Sequence, residues 1–152
     1  MFIRTITSPS KNCEVEVKRE TSNVNFAGEG FRPAHYDLEL WKEAMRLAVA
    51  ILRLTAGFPS DERFGLSSQL RRSAVSVPSN IAEGAARGSR AELQRFLLIA
   101  RGSLAEFDTQ LWLAREVGLA DDIVQFQERI HRVFGLLNGL MKSDIAKTRS
   151  KR

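Results

Sequence analysis

The sequence holds one cysteine, Cys13, and so cannot close an internal disulfide. A reducing cytoplasm is the default compartment for such a chain. It holds two histidines, His35 and His131, and no cysteine or histidine cluster with metal-ligand spacing. No apolar run approaches the ~18 residues of a membrane span, and the leading "MFIRTITSPSKN" lacks the apolar stretch of a secretory signal. A glycine-rich phosphate loop and a nucleophile–base pair are also missing. Aromatic residues are 8% of the chain. Phe96 and Phe107 read as core or interface positions, Trp41 and Trp112 as contacts flanking the core, so no stacking platform for single strands is evident. The expectation is a protein that is not an enzyme and carries no cofactor or metal.

What is present is charge, unevenly placed. The net charge is +5. Residues 1–34 carry five basic and four acidic groups, residues 142–152 five and one, and residues 35–141 thirteen of each. Most of the excess is therefore in the ending "KSDIAKTRSKR", which solubilises a chain or adds non-specific affinity for phosphate. Inside the neutral middle the signs separate. From Arg63 to Arg101 there are seven arginines and two acids, Glu83 and Glu92.

Residues 1–34 show no helical period and read as a flexible N-terminal arm. After Pro33 come four amphipathic segments. The first spaces Leu40, Ala44, Leu47, Ile51 and Leu54 by fours and threes, and Gly57 and Pro59 stop it. The second starts near Asp61 to Phe64 and puts Leu70, Ala74, Val77 and Ile81 on one face, ending at "RGS". Ser89 and Glu92 form a capping box for the third, which carries Leu93, Leu97, Ala100, Leu104, Phe107, Leu111 and Ala114. Gly118 breaks it, and Asp121 is the expected cap of the fourth, with Ile123, Phe126, Ile130, Val133, Leu137 and Leu140. Such seams pack at shallow angles. The expected fold is all-α, an up-down-up-down antiparallel four-helix bundle over residues 35–145, followed by a basic tail over 146–152. The same periodicity permits two helical hairpins that dimerise; short loops favour the closed bundle.

The segment "RRSAVSVPSNIAEGAARGS", Arg71 to Ser89, is the most unusual. At ~100° per residue, Ser76, Asn80, Glu83 and Arg87 fall near Arg72 and opposite Leu70, Val77 and Ile81. Glu83 and Arg87 are in the favourable order for an ion pair. Pro78 removes a donor and crowds the carbonyl of Ala74, so one kinked helix is expected, with Ser76 and Ser79 helping the freed carbonyls. Ala82, Gly84, Ala85 and Ala86 permit a close approach, either by the neighbouring helix or by another subunit. "ERIH", Glu128 to His131, is a single Glu-x-x-His motif facing away from its seam, where a di-iron bundle needs two motifs and two further inward glutamates.

The run "LSSQLRRSAVSVPSNIAEGAARGSRAELQRFLLIARGSLAEFDTQLWLAREVGL" resembles the four helix bundle protein family. That group includes proteins encoded in intervening sequences of bacterial large-subunit ribosomal RNA genes and the accessory variability determinant of diversity-generating retroelements. The pieces that carry the resemblance are "NIAEG" (Asn80–Gly84), the pair Arg71–Arg72, "RFLLIARGSLAE" (Arg95–Glu106) and "QLWLAREVG". They lie within a resemblance that spans roughly residues 36 to 141. It implies a homopentameric ring, contact with nucleic acid and, in one branch, with a reverse transcriptase or other nucleoprotein.

Combined with the charge pattern, this makes Arg71, Arg72, Arg87, Arg90, Arg95 and Arg101, with Arg63 beside them, the candidate phosphate-binding surface. Asn80, Glu83 and Gly84 are the candidate subunit contact. The competing reading is a solvated face and inter-subunit salt bridges on a scaffold with no nucleic-acid role. Because residues 1–30 have no periodicity to bury, their removal is expected to leave the melting temperature and the oligomer mass unchanged. A fall of many degrees would show that the arm packs.

Overall fold

The computed structural model describes the backbone of residues 33–61 and 65–149 and side-chain surroundings through residue 143. The expected arm lies almost wholly outside the described residues, as do Arg63 and Phe64. A 3-10 turn, Ala34–Asp37, precedes four helices: α1 (Glu39–Ala56), α2 (Leu66–Ala86), α3 (Arg90–Glu116) and α4 (Val124–Arg149). Each helix packs on its neighbour in chain order and α4 closes on α1, while the diagonal pairs α1–α3 and α2–α4 do not meet. The hydrogen bonds fix the directions. Along α2, Ser73 pairs with Gln110 and Ser76 with Ser103, so α3 runs the other way. Gln94 reaches Met141, and Gln127 reaches Asp108, which makes α3 and α4 antiparallel too. The fold is the four-helix bundle that the seams imply.

Those seams fill the core. Leu47, Ile51, Leu70, Val77, Ile81, Leu97, Leu104, Phe107, Leu111, Ile130, Val133 and Leu137 are all fully buried. Leu54 and Leu93, near helix ends, and Leu140 within α4 are only half-buried. Trp41 corrects the flanking assignment: it is buried, stacked on Tyr36 of the 3-10 turn at 5.1 Å with His35 edge-on at 5.0 Å. The turn folds back as an aromatic lid because an indole this large buries more area than the adjacent seam positions. Trp112, by contrast, stays half-exposed beneath Arg115.

The helix ends follow local chemistry. α2 begins at Leu66 behind Gly65, a few residues later than the Asp61–Phe64 expectation. Gly88 adopts a φ of +68° beyond the end of α2, a conformation that glycine takes without a Cβ clash. Ser89 then accepts the N–H of Glu92 at 3.5 Å and caps α3. After α3, Gly118 has a φ of +77°. Its N–H goes to Arg115, and that of Leu119 to Ala114, the two bonds of a Schellman motif. At α4, Asp122 rather than Asp121 does the capping, its carboxylate accepting the Val124 N–H at 2.9 Å. The backbone of α4 continues to Arg149, past the boundary expected at residue 145.

α2 is one unbroken helix with Pro78 buried inside it. The carbonyls just after Ala74 are reinforced by side chains: the Ser79 hydroxyl donates to Val75 at 2.8 Å, and the Asn80 amide to Ser76 at 2.8 Å. Ser79 acts nearly as expected. Ser76 does not, since its hydroxyl pairs across to Ser103 at 2.9 Å.

At Gly84, α2 and α3 approach closely. A Cβ there would sit 2.8 Å from the Phe96 Cβ and 3.4 Å from the Leu93 Cα. Phe96 Cβ is tied to its own backbone, so the helices would have to part. Gly84→Ala is expected to cost about 1–3 kcal/mol, the usual penalty of overpacking. Gly135→Ala on α4, with nothing within 4 Å of its added Cβ, is expected to stabilise by up to ~1 kcal/mol through helix propensity. Urea denaturation midpoints of the two variants check the contrast.

Candidate nucleic-acid interface

The six candidate arginines do not form one stripe. Arg71 is half-buried and turned to α1: its Nε donates to the Thr55 hydroxyl at 2.7 Å and its Nη2 to the Thr55 carbonyl at 2.9 Å. It caps the end of α1 rather than facing solvent. Arg72 is exposed near the opposite end of α2 from the α2–α3 turn. Arg101 is exposed on α3, and helical phasing puts it on the α4 side. Neither has an ion pair or hydrogen bond among the described residues.

Arg87, Arg90 and Arg95 do converge, on the tight turn between α2 and α3. Arg87 pairs with Glu83, and Arg95 with Glu92 at 3.3 Å. Both guanidinium groups also lie over the buried Phe96 ring, at 5.3 and 4.8 Å from its centre, where the ring's negative face attracts a cation. The Glu83 carboxylate, first by hydrogen bond and then by charge, holds Arg87 still further above its ordinary pKa. These are exposed pairs, so the carboxylates screen the arginines without locking them.

The last turns of α4 join this end, as the up-down-up-down order of the helices implies. The Gln94 amide donates to the Met141 carbonyl at 3.2 Å. That bond brings the last turns of α4 beside the first turns of α3. Exposed Lys142 therefore stands at the same end of the bundle as Arg87, Arg90 and Arg95.

The candidate subunit contact is largely internal. Gly84 is buried against Phe96 and Leu93, so the close approach there is made by the neighbouring helix of the same chain. Asn80 is half-buried and bonds Ser76. Glu83 remains exposed, engaged with Arg87. "NIAEG" is thus a packing motif for α2 on α3.

Two features went unseen in the sequence. Glu43 is buried in α1, held by Arg46 and, from α4, by Arg132 at 3.5 Å, with Glu39 completing the cluster at 3.4 Å from Arg46 and 3.7 Å from Arg132. Its signal was an acid falling within the Leu40–Ala44–Leu47 seam. The other is a shallow concavity of about 280 Å³ lined by Trp112, Asp121, Asp122, Glu128 and His131, among others. Glu128 and His131 are exposed there, away from the core. No group of three or more potential ligands that could hold a metal ion occurs among the described residues.

Interlocked polar contacts between α2 and α3 and a closed ring of four antiparallel helices define a four-helix bundle with arginines clustered at one end. Among the described residues no helix is long and apolar enough to cross a membrane. The family model of the 23S rRNA-intervening sequence proteins matches residues 36–139, most of the chain, from the 3-10 turn into α4. The chain belongs to that family. No curated protein matches it.

Arg71 supplies a test of its structural assignment. A double-mutant cycle of Arg71→Ala and Thr55→Val is expected to give a coupling of about 0.5–3 kcal/mol in unfolding free energy, as for residues sharing a bond. Coupling near zero would return Arg71 to the solvent-facing set.

Proposed function

We propose that this protein is a non-enzymatic, oligomeric four-helix-bundle adaptor in the cytoplasm. In this reading its basic end contacts RNA, DNA or a nucleoprotein partner. The observation that carries it is the Gln94–Met141 bond, which sets the exposed Lys142 of α4 at the end of the bundle that carries Arg87, Arg90 and Arg95. Phosphates gripped there would be held by charge and without base readout. A non-catalytic role is supported by the use made of internal polar groups. Ser73, Ser76, Asn80 and Gln110 bond one another or the backbone between α2 and α3. The oligomer, a pentamer in the resemblance, is supported by large apolar side chains that the monomer leaves exposed.

The scaffold reading has its own observation. Arg71, Arg87 and Arg95 each have an intramolecular partner, and a pure scaffold would need nothing more of them.

Salt-dependent binding separates the two. One variant neutralises the tail (Lys147→Gln, Arg149→Gln, Lys151→Gln, Arg152→Gln) and another the turn (Arg87→Gln, Arg90→Gln, Arg95→Gln). Circular dichroism and oligomer mass must first match the wild type. Each lost phosphate contact is expected to flatten the slope of log affinity against log salt by ~0.7 to 0.9, depending on strand form, and both variants should show it. If only the tail variant loses binding, the helical arginines are structural and the scaffold reading replaces ours. Light scattering is expected to give the mass of five chains; a monomer at micromolar concentration would refute the assembly.

A further inference from the structure

One concavity is built largely from groups that the core and the helix caps do not use. It measures about 280 Å³ and lies between the last turns of α3 and the first turns of α4. Since α3 starts at the α2–α3 turn and runs away from it, this is the opposite end of the bundle from Arg87, Arg90 and Arg95. Trp112 and Val124 line the concavity and are 42% and 64% exposed. Two apolar side chains therefore stay wet on one wall, although the seams of the same helices are fully buried. The Arg115 guanidinium lies over the Trp112 ring, 5.2 Å from its centre.

Three carboxylates surround the same apolar floor: Asp121, Asp122 and Glu128. Asp122 is accounted for, because it accepts the Val124 N–H. Asp121 and Glu128 have no ion pair or hydrogen bond among the described residues. Glu128 stands in the second turn of α4, past the first turn in which a cap or the helix dipole favours an acid. Arg115 is the single guanidinium of the lining, and it is already drawn onto the indole. The mouth is thus acidic on a chain whose net charge is +5.

We propose that this concavity docks a segment of a partner protein that presents an arginine beside an aliphatic side chain. The aliphatic group covers Trp112 and Val124, and the guanidinium meets Asp121 and Glu128. Arginine fits better than lysine, since its planar fork bonds carboxylates and packs flat on an indole. The volume falls below the ~300–1,000 Å³ of a small-molecule site, so the concavity takes side chains of a peptide rather than a whole cofactor. The arginines of a second copy match it less well, because Arg87 and Arg95 already hold Glu83 and Glu92. This contact depends on neither phosphate binding nor assembly. It gives the adaptor a second end, of opposite charge to the first.

The probe is a short fluorescent peptide that repeats Leu-Arg-Gly, followed by anisotropy with the full-length protein. The net charge of +5 repels such a peptide, so binding reports the local site. Asp121→Lys with Glu128→Lys should weaken binding about tenfold, as two exposed charge contacts are reversed. Trp112→Ala should weaken it several-fold through lost stacking. Asp122 is left in place because it caps α4. Circular dichroism must match the wild type, and if the double variant misfolds, Glu128→Lys alone replaces it. The reversed variant should also bind a Leu-Glu-Gly repeat more tightly than the wild type does, a gain that a purely structural role for the acids would not produce. The proposal is overturned if the wild type binds a Leu-Gln-Gly repeat as tightly as Leu-Arg-Gly, or if the reversed variant keeps the wild-type affinity for the arginine peptide. A changed oligomer mass in the reversed variant would overturn it as well, by showing that a second copy covers the concavity.

Discussion

The approach of α2 to α3 at Gly84 is the constraint on which much of the molecule depends. With no side chain at that position, the Phe96 Cβ comes within 2.8 Å of where a Cβ would stand. Phe96 is then buried at the foot of a three-residue connection, Arg87–Ser89. Its ring becomes a floor for Arg87 and Arg95. Widen the helices there and the turn, the stacked arginines and the start of α3 all move. Through Gln94, one turn from Leu97 on α3, the end of α4 would move as well. The basic end is therefore a consequence of one packing contact between two helices.

Further along the same pair the interface turns polar. The Asn80 amide donates to the Ser76 hydroxyl, which meets Ser103; Ser73 donates to Gln110, whose amide donates to Glu106. Each group is satisfied, so the seam avoids the penalty of buried unpaired atoms. A one-turn slip of α2 along α3 would break both cross-helix bonds at once and drive Gly84 off Phe96. On the other side of the bundle Glu43 does similar work. Its burial is tolerable only with Arg46 and Arg132 beside it, and Arg132 belongs to α4, so the charge cluster ties the first helix to the last. Among the described residues Ser67 is the exception: its buried hydroxyl has no partner, and the structure offers no physical account of it.

The apolar periods made the bundle legible, because burial repeats every three or four residues and leaves a trace in residue type. The C-terminal stop of α3 at Gly118 was legible for a related reason, since a left-handed position selects glycine. What the periods do not record is which neighbour a side chain meets. Arg71 and Arg72 are adjacent in sequence, yet one bonds Thr55 and the other faces solvent; the ~100° between them decides it. The small residues around Gly84 announced a close approach without saying whether the partner was internal. Trp41 was misread because the aromatic lid that buries it comes from Tyr36 and His35, outside the periodic segment. The candidate site was legible as composition, an arginine-rich stretch. It was not legible as geometry, because helix phase and the return of α4 sort the arginines.

The sorting separates two kinds of surface. The cations of the α2–α3 turn and Lys142 of α4 lie at one end of the helix axes, while exposed apolar side chains such as Val49, Leu52, Val75, Ile99 and Leu113 lie on the flanks. Flank and end share few residues; Arg95, near the start of α3, is where they meet. If copies associate by their flanks, the ends stay open to solvent. Every basic end in a ring would then fall on one rim, since rotation about an axis parallel to the helices preserves direction. One turn of this kind is nearly neutral, three arginines against Glu83 and Glu92. Repeated around a rim, with Lys142 beside them, such ends would present a positive edge to a polyanion. A weak site would gain strength through multivalency, which needs only that several phosphates be reached at once.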